Sequence, residues 1–525
     1  MHDLIQSAGS IGAEYLRDES RSTGHAEYAV FAKNEEDVLN ALRFANEKDL
    51  PVTVQGGRTG LAGAAVPYGG LILNMSQMDQ ITGMDLRDGK YILYTQPGVV
   101  LLKLRKMIAS RKIDTGLFDE ASLEIYKRFF TDKEQFFPTD PTETSATVGG
   151  MAACNASGAR SYRYGAMRRH VESVRMLLAD GRSVSIRRGE VFAKGLNASL
   201  PCEDGSSVDF TLPSYRMPGV KNASGYYAAP DMDLIDLLIG SDGTLGVIVE
   251  LGLMLDPLPE AVWGTACLFE KEKDALSFVD KARGEENIAS LEYFDRGALE
   301  ILRQQKANGS AFASPPDVPE RIESIVYAEL HCSDEEEALA SLLRIGEIAE
   351  NCGGDEKDTW VARNQSDLDG LMFFRHAVPE SVNMNIDKLR KTQPSLTKMG
   401  SDMSVPDDRL FDVMDMYRKD IEKIGVRSAI WGHIGDNHLH VNLLPSSMEE
   451  AGKVKEMFRN WAGSITLMGG AVSAEHGVGK LKASFLEIMY GPEHIEEMRS
   501  VKRAFDPGWK LGRGNLFSAE EGEMA

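Results

Sequence analysis

The residues from Trp431 to Asn442 read Trp-Gly-His-Ile-Gly-Asp-Asn-His-Leu-His-Val-Asn and hold three of the chain's ten histidines. Apolar residues flank them on both sides, which predicts two strands with Gly435-Asp436-Asn437 as the turn between. With Asp436-Asn437 as a two-residue loop, Gly435 pairs with His438, Ile434 with Leu439 and His433 with His440. Opposed side chains of an antiparallel pair share a face, with Cβ atoms roughly 4.5–5.5 Å apart. Strand side chains alternate with a period of two. One small surface would therefore carry His433, His438, His440 and Asn442. Two imidazoles at that separation suit a divalent transition metal, and the same pattern also suits a hydrogen-bonded surface patch. The stretch Ser473-Ala-Glu-His-Gly-Val-Gly479 offers a carboxylate, Glu475, beside another imidazole, His476, and favours the metal.

These residues must be positioned by a chain of 525 residues, which is long enough for two or three domains. The composition, 42% hydrophobic and 26% charged, is that of a globular protein. Lys+Arg 58 against Asp+Glu 80 gives a net charge of −22. That balance excludes nucleic acid and anionic membrane as default partners, and an anionic substrate would need a local cationic pocket. No apolar run reaches the roughly 18 residues of a spanning helix. The N-terminal residues lack the pattern of a signal peptide. The five cysteines (Cys154, Cys202, Cys267, Cys332, Cys352) are far apart and form no CxxC motif. They read as reduced thiols in a cytoplasmic protein, with neither a zinc ribbon nor an iron–sulfur cluster.

Residues 1–25 read as a polar lead-in with a short helix. Tyr28–Ala32 reads as a strand, and Asn34 as the cap of a helix with Glu35, Glu36 and Asp37 in its first turn. Pro51–Val54 is the next strand and completes a βαβ unit. Asp119–Gln135 reads as a helical insertion. Beyond Pro257-Leu-Pro259 the pattern predicts strands at Ala266–Phe269, Ser290–Phe294 and Ser324–Leu330, with helices at Glu272–Ala282 and Ser333–Asn351. These suggest a sheet covered on one face.

Three Gly-rich stretches punctuate the first half. Gly56-Gly-Arg-Thr-Gly-Leu-Ala-Gly63 follows a strand, yet it is neither a dinucleotide fingerprint nor a P-loop. Phe137-Pro-Thr-Asp-Pro141 leads to Ser145–Gly158, which is dominated by small and hydroxyl residues. Gly240-Ser-Asp-Gly-Thr-Leu-Gly246 runs into an apolar strand. Such loops let a backbone approach a ligand and point N–H groups at anionic oxygens. In this order they resemble the FAD-binding domain of the vanillyl-alcohol oxidase and p-cresol methylhydroxylase superfamily. Over roughly residues 25–520 the chain looks like the branch that holds glycolate oxidase flavin subunits, D-lactate dehydrogenases and D-2-hydroxyglutarate dehydrogenases. Lys221-Asn-Ala-Ser-Gly-Tyr226 matches as well, and Phe505–Asn515 corresponds to the family's closing segment.

The resemblance implies an α+β architecture. A lead-in over 1–25 would precede a two-subdomain FAD-binding domain over 26–259. A cap domain with an antiparallel sheet would span 260–445, and a helical segment over 446–525 would return to the flavin domain. The FAD-binding residues it implies are Gly56, Gly57, Arg58, Thr59, Gly60 and Gly63; Pro138, Thr139 and Asp140; Thr147, Gly149, Gly150, Asn155 and Gly158; and Gly243, Gly246 and Val247. Some branches tether flavin through a His in the first loop; Arg58 and Thr59 occupy that loop here, so non-covalent FAD is expected. The family's metal ligands map onto His433, His440 and Glu475, its base onto His476, and a substrate contact onto Asn442. The substrate carboxylate needs a cation; Arg375, whose guanidinium fork matches a carboxylate, is the first candidate and Lys398 the second. Zinc is the first candidate, and manganese or iron also fits. On this reading His376 and His438 are structural, although His438 shares the ligand face, and relatives carry Gly-Asn where Asn437-His438 stands here.

The activity implied is oxidation of a D-2-hydroxy acid of lactate, glycolate or 2-hydroxyglutarate type, with electrons passed to an external flavoprotein, quinone or cytochrome. Pro379 stands where the D-2-hydroxyglutarate dehydrogenases carry Thr, so that substrate is not singled out. Two alternatives stay open. One is a non-redox FAD transferase of the alkyl-dihydroxyacetone-phosphate synthase type. The other is a flavin subunit of a multi-subunit glycolate oxidase. A homodimer is also compatible with the sequence.

Overall fold

The computed structural model describes residues 4–307, 316–391 and 399–517. The fold is α+β, and among the described residues it is built on three principal sheets. The first has four strands: β1 (Ile5–Ser7), β2 (Tyr28–Phe31), β3 (Val52–Gln55) and β4 (Leu71–Asn74), in the order β1-β2-β4-β3. Between β2 and β3 runs helix α1 (Glu35–Glu47), and Asn34 caps it by accepting from Asp37 N. Val38, Ala41, Leu42 and Ala45 of α1 pack on Val30, Leu71 and Leu73. The βαβ unit is therefore present, but its strands are not neighbours. β4 lies between them, parallel to both. The lead-in holds short 3-10 helices at Ala8–Ser10 and Ala13–Leu16, and beyond that expectation β1 adds an antiparallel edge strand to β2.

The second sheet is antiparallel, with β5 (Ile81–Arg87), β6 (Lys90–Thr95), β7 (Val171–Leu177), β8 (Ser183–Arg187) and β9 (Val247–Met254) in the order β5-β6-β9-β7-β8. Helix α2 (Leu101–Ser110) buries Leu101, Leu104 and Ile108 against its core. The insertion is helical, α3 (Glu120–Thr131), capped by Asp119. It buries Phe129 edge-on against Tyr91, whose hydroxyl donates to Asp132. A short helix, α4 (Val148–Ala153), begins inside the second Gly-rich stretch, with Thr147 as its cap.

The third sheet has eight strands: β10 (Ala261–Phe269), β11 (Ile288–Phe294), β12 (Ser324–Cys332), β13 (Trp360–Ala362), β14 (Met399–Gly400), β15 (Met403–Ser404), β16 (Arg427–His433) and β17 (His438–Leu444). Its order is β13-β10-β12-β11-β16-β17-β14, with β15 also paired to β17. The expectation of a sheet covered on one face is corrected. One face packs on α5 (Glu272–Ala282), α7 (Glu335–Asn351), α9 (Leu410–Ile424) and α10 (Met448–Leu467) through Leu291, Tyr293, Ile430, Val441 and Leu443. The other packs on α6 (Arg296–Ala307) and α8 (Gln365–Arg390) through Phe294, Ile325, Tyr327 and Ala429. That second face is apolar at one end and carries Glu292, Glu329 and His433 at the other, so its strands lack a clean alternation. Helix α11 (Ala483–Phe505) follows, and the chain then returns to the first sheet, where Leu511 bridges to Val52.

Candidate active site

The site begins at the β16–β17 hairpin. Its register pairs His433 with His438, Gly432 with Leu439 and Trp431 with His440. The expected register, with His433 opposite His440, is corrected by two residues. A two-residue loop at Asp436-Asn437 of the preferred type needs positive φ at both positions. Only Asn437 adopts it (φ 48°), while Ile434–Asp436 wind into a 3-10 turn with Ile434 buried. Because the shift is two residues, no side chain changes face. His433, His438, His440 and Asn442 stay together. Arg283 fixes the turn by donating to Ile434 O at 3.0 Å, to Gly435 O at 3.3 Å and to the Asn437 side-chain oxygen.

Buried carboxylates surround these imidazoles. Glu292 Oε1 lies 2.6 Å from His433 Nδ1, and Glu292 Oε2 accepts from Arg375 Nε at 2.9 Å. His433 Nε2 faces Glu475 Oε2 at 3.2 Å. His438 presents Nδ1 to the same oxygen at 3.6 Å and Nε2 to Asp402 Oδ1 at 2.9 Å. Lys221 Nζ donates to Glu475 Oε2 at 2.8 Å and to Gly158 O at 2.9 Å. Ligand atoms of His433, His438, His440 and Glu475 all lie within 4.8 Å of one another; so do those of Asp402, His440 and His476.

The loop that carries Glu475 and His476 is held from two sides. Asp402 accepts from the backbone N–H of Glu475 at 3.2 Å and of His476 at 3.1 Å, from Ser473 Oγ at 2.7 Å, and from Lys482 Nζ. Asp242, in the third Gly-rich stretch, accepts from Val478 N at 3.1 Å and Gly479 N at 2.8 Å. A Cβ on Gly477 (φ 72°) would fall 2.8 Å from Asp242 Oδ1, so the approach of these two loops requires glycine there.

Electrostatics separate the four imidazoles. Burial opposes charge on His433, but Glu292 and Glu475 outweigh it and lift its pKa to about 9. Burial dominates at His438, taking it down to about 4 despite Asp402. Burial, with His438 and His476 alongside, holds His440 well below its usual value. Burial likewise lowers His476 against the pull of Asp402, which keeps this imidazole neutral. Burial opposes the charge on Glu292, yet Arg375 and His433 prevail and bring it down to about 2. The result is ionised carboxylates with neutral His438, His440 and His476, while His433 is held protonated between Glu292 and Glu475 and would give up that proton to a cation.

A single cavity of about 550 Å³ joins this cluster to the Gly-rich loops. Of the residues expected to hold FAD, Gly56, Gly57, Arg58, Thr59, Gly60, Thr147, Gly149, Gly150, Gly243 and Gly246 line it. The others lie behind the wall. Pro138 and Thr139 are buried, and Asp140 caps Arg160 N at 3.1 Å. Asn155 holds Arg168 N and Asn222 O, and Val247 packs in the first sheet's core. Gly158 packs on the Asp140 backbone, and Gly63 neighbours Leu481. Arg375, His376, Pro379, His433, His440, Asn442, Glu475 and His476 also line the cavity. Lys398 lies outside the described residues.

Two family descriptions match the chain. Residues 26–124 and 126–187 match "FAD binding domain", and residues 258–516 match "FAD linked oxidases, C-terminal domain". The chain belongs to the FAD-linked oxidases. Among similar FAD-linked oxidases is a D-lactate dehydrogenase of Archaeoglobus fulgidus, 29% identical over 93% of this chain and 90% of the relative. A D-2-hydroxyglutarate dehydrogenase of Stutzerimonas stutzeri is 27% identical over 98% and 96%. Glycolate oxidase subunit GlcD of Bacillus subtilis is 25% identical over 94% and 89%. The solved alkyldihydroxyacetonephosphate synthase shares the fold, with a TM-score of 0.61 at 14% identity over 97% of this chain and 82% of that one.

The cavity of this FAD-linked oxidase fits both groups that its family implies. Ser157 Oγ, within the second Gly-rich stretch and in the cavity wall, is fully buried and has no hydrogen-bond partner. It suits a polar atom of a cofactor. At the other end, His433 Nε2 and His438 Nδ1 are buried and have no hydrogen-bond partner while facing one carboxylate oxygen, as a cation between them would require. Sequence reasoning missed Ser157, Glu292, Asp402, Asp242 and Lys482. Asp402 carried a weak signal, an isolated acid in the small-residue run Met-Gly-Ser-Asp-Met. Glu292 carried one too, as a charged residue in the middle of an otherwise apolar strand.

Proposed function

We propose that this FAD-linked oxidase converts a D-2-hydroxy acid of lactate, glycolate or 2-hydroxyglutarate type into the 2-oxo acid. The observation that carries the reading is the shared cavity: one space touches the flavin-type loops at one end and the His/Glu/Arg cluster at the other. The names of the relatives, all oxidising 2-hydroxy acids, point the same way.

When bound, FAD supplies a hydride acceptor, and a divalent ion supplies positive charge at the substrate hydroxyl. His433, His440 and Glu475 would hold the ion. Gly56–Gly60, Thr147, Gly149–Gly150, Ser157, Gly243 and Gly246 would hold FAD without a covalent link, since the first loop offers no His or Cys. Arg375 turns a planar guanidinium toward the substrate carboxylate, and Glu292 fixes its orientation through Nε. Asn442, which lines the same cavity, is the further substrate contact. His476 takes the hydroxyl proton. Asp402 lies 3.5 Å from its Nδ1, which favours the proton on that nitrogen and leaves Nε2 as the base. The five cysteines are scattered singly and are all free, so the electrons are expected to leave to an external acceptor such as an electron-transfer flavoprotein, a quinone or a cytochrome.

Anaerobic mixing with a panel of D- and L-2-hydroxy acids tests the reading through the flavin absorbance. Bleaching by a D-acid, slowed by chelator and restored by metal, is the expected result. A flavin that stays oxidised with every acid sinks the activity, and a rate indifferent to chelator sinks the metal.

A further inference from the structure

We infer that His438 is a fourth protein ligand, so that the divalent ion is held by three imidazoles and one carboxylate: His433, His438, His440 and Glu475. The inference rests on the proposed metal site and adds a ligand to it. Two parallel arrangements carry it. His433 has one ring nitrogen against a buried carboxylate, Glu292, at 2.6 Å, and the other aimed at Glu475 Oε2 at 3.2 Å. His438 repeats this with different partners: Asp402 at 2.9 Å on Nε2, and the same Glu475 oxygen at 3.6 Å from Nδ1. In each the inner nitrogen is buried and lacks a hydrogen-bond partner. A carboxylate behind an imidazole, fixing its tautomer and the direction of its free lone pair, is the usual outer support of a metal-bound histidine. The two rings lie 5.3 Å apart, and His438 lies 4.6 Å from His440, so three imidazoles converge on one point.

A structural role for His438 fits less well. A purely structural, fully buried His438 would leave Nδ1, which faces the Glu475 oxygen, unsatisfied in the core. Asp402 is not a competing ligand. Its oxygens already accept from two backbone N–H groups, Ser473 Oγ and Lys482 Nζ, which makes it an anchor for the ring and for the 473–479 loop.

The chemical consequence concerns the metal. Four protein donors fill a tetrahedral zinc ion and close it to substrate, whereas a five- or six-coordinate ion keeps positions for the hydroxyl and carboxylate of a hydroxy acid. The site therefore favours manganese, iron or cobalt over zinc for turnover.

The test uses the full chain loaded with FAD. Pulsed EPR of the wild-type protein carrying Cu²⁺ counts the imidazole nitrogens coupled to the ion; three are expected. His438→Asn and His438→Gln are then titrated with Co²⁺, read by its visible absorption. The expected result is a fall in affinity beyond about 100-fold, larger than loss of an outer partner brings, and a changed spectrum, with flavin absorbance intact. Two imidazole couplings, or variants whose Co²⁺ affinity and spectrum match wild type, overturn the inference and leave the hydroxy-acid reading standing. A wild-type protein that binds no divalent ion overturns this inference together with the metal part of that reading.

Discussion

At the scale of single residues, the site is a set of charges that restrain one another. His476 is the group through which the proton is expected to leave. His476→Asn should therefore lower the rate of flavin reduction by roughly 10²- to 10⁴-fold, with substrate affinity little changed, in stopped-flow experiments under anaerobic conditions. Asp242 gives a second test, through pH. Burial raises its pKa from 3.8 to about 6, against the two backbone N–H groups and Lys482 that favour its charge. A carboxyl whose folded pKa is raised contributes stability that is complete below pH 3.8 and lost as pH rises through about 6. Asp242→Asn keeps an acceptor for Val478 and Gly479 but cannot ionise. Its thermal midpoint should gain on wild type between pH 4.5 and 7, and a constant difference across that window would refute the assignment.

At the scale of elements, the hairpin shows what was legible in the sequence and what was not. Flanking apolar residues identified both strands, and the strand period of two gave the common face of His433, His438, His440 and Asn442. The turn was not legible, because its length depends on Ile434 entering a core built by distant helices and on Arg283, some 150 residues earlier in the chain. The same limit hid β4, four buried residues too short to show a period, and the second covered face of the large sheet, where Glu292 and Glu329 interrupt the apolar pattern. Glycine density marked the loops that line the cavity but not which hydroxyls line it with them. Arg283 is the element-scale test. Arg283→Ala removes donors from two carbonyls of the turn, which should destabilise the protein by roughly 1–3 kcal/mol. Denaturant unfolding and metal titration should move together, since the turn sets the separation of His433 and His438.

At the scale of the molecule, the flavin-type loops and the cluster belong to different sheets, joined by Arg160 with Glu329 at 2.6 Å and by Lys221, which links Gly158 to Glu475. The returning segment beyond α11 completes the assembly. Lys502, 1% exposed, donates to Thr244 O at 2.6 Å, to Leu511 O at 2.9 Å and to Asp506. Lys502→Ala takes the cation from the buried Asp506 carboxylate, which keeps the N–H groups of Lys510 and Leu511, and should cost roughly 3 kcal/mol. FAD affinity should weaken as well, because Thr244 lies within the third Gly-rich loop. A calorimetric midpoint and flavin affinity both equal to wild type would count against this role. The return also carries a consequence for how the protein is made. Asn515 donates to Ala64 O across 451 residues of sequence, and Leu511 lies beside Val52 at the edge of the first sheet. During synthesis, then, the first loop leaves the ribosome long before the strand edge that braces it exists. The nascent chain holds that loop without its Asn515 and Leu511 contacts until residues 511–515 have emerged, so its closure comes late in biogenesis.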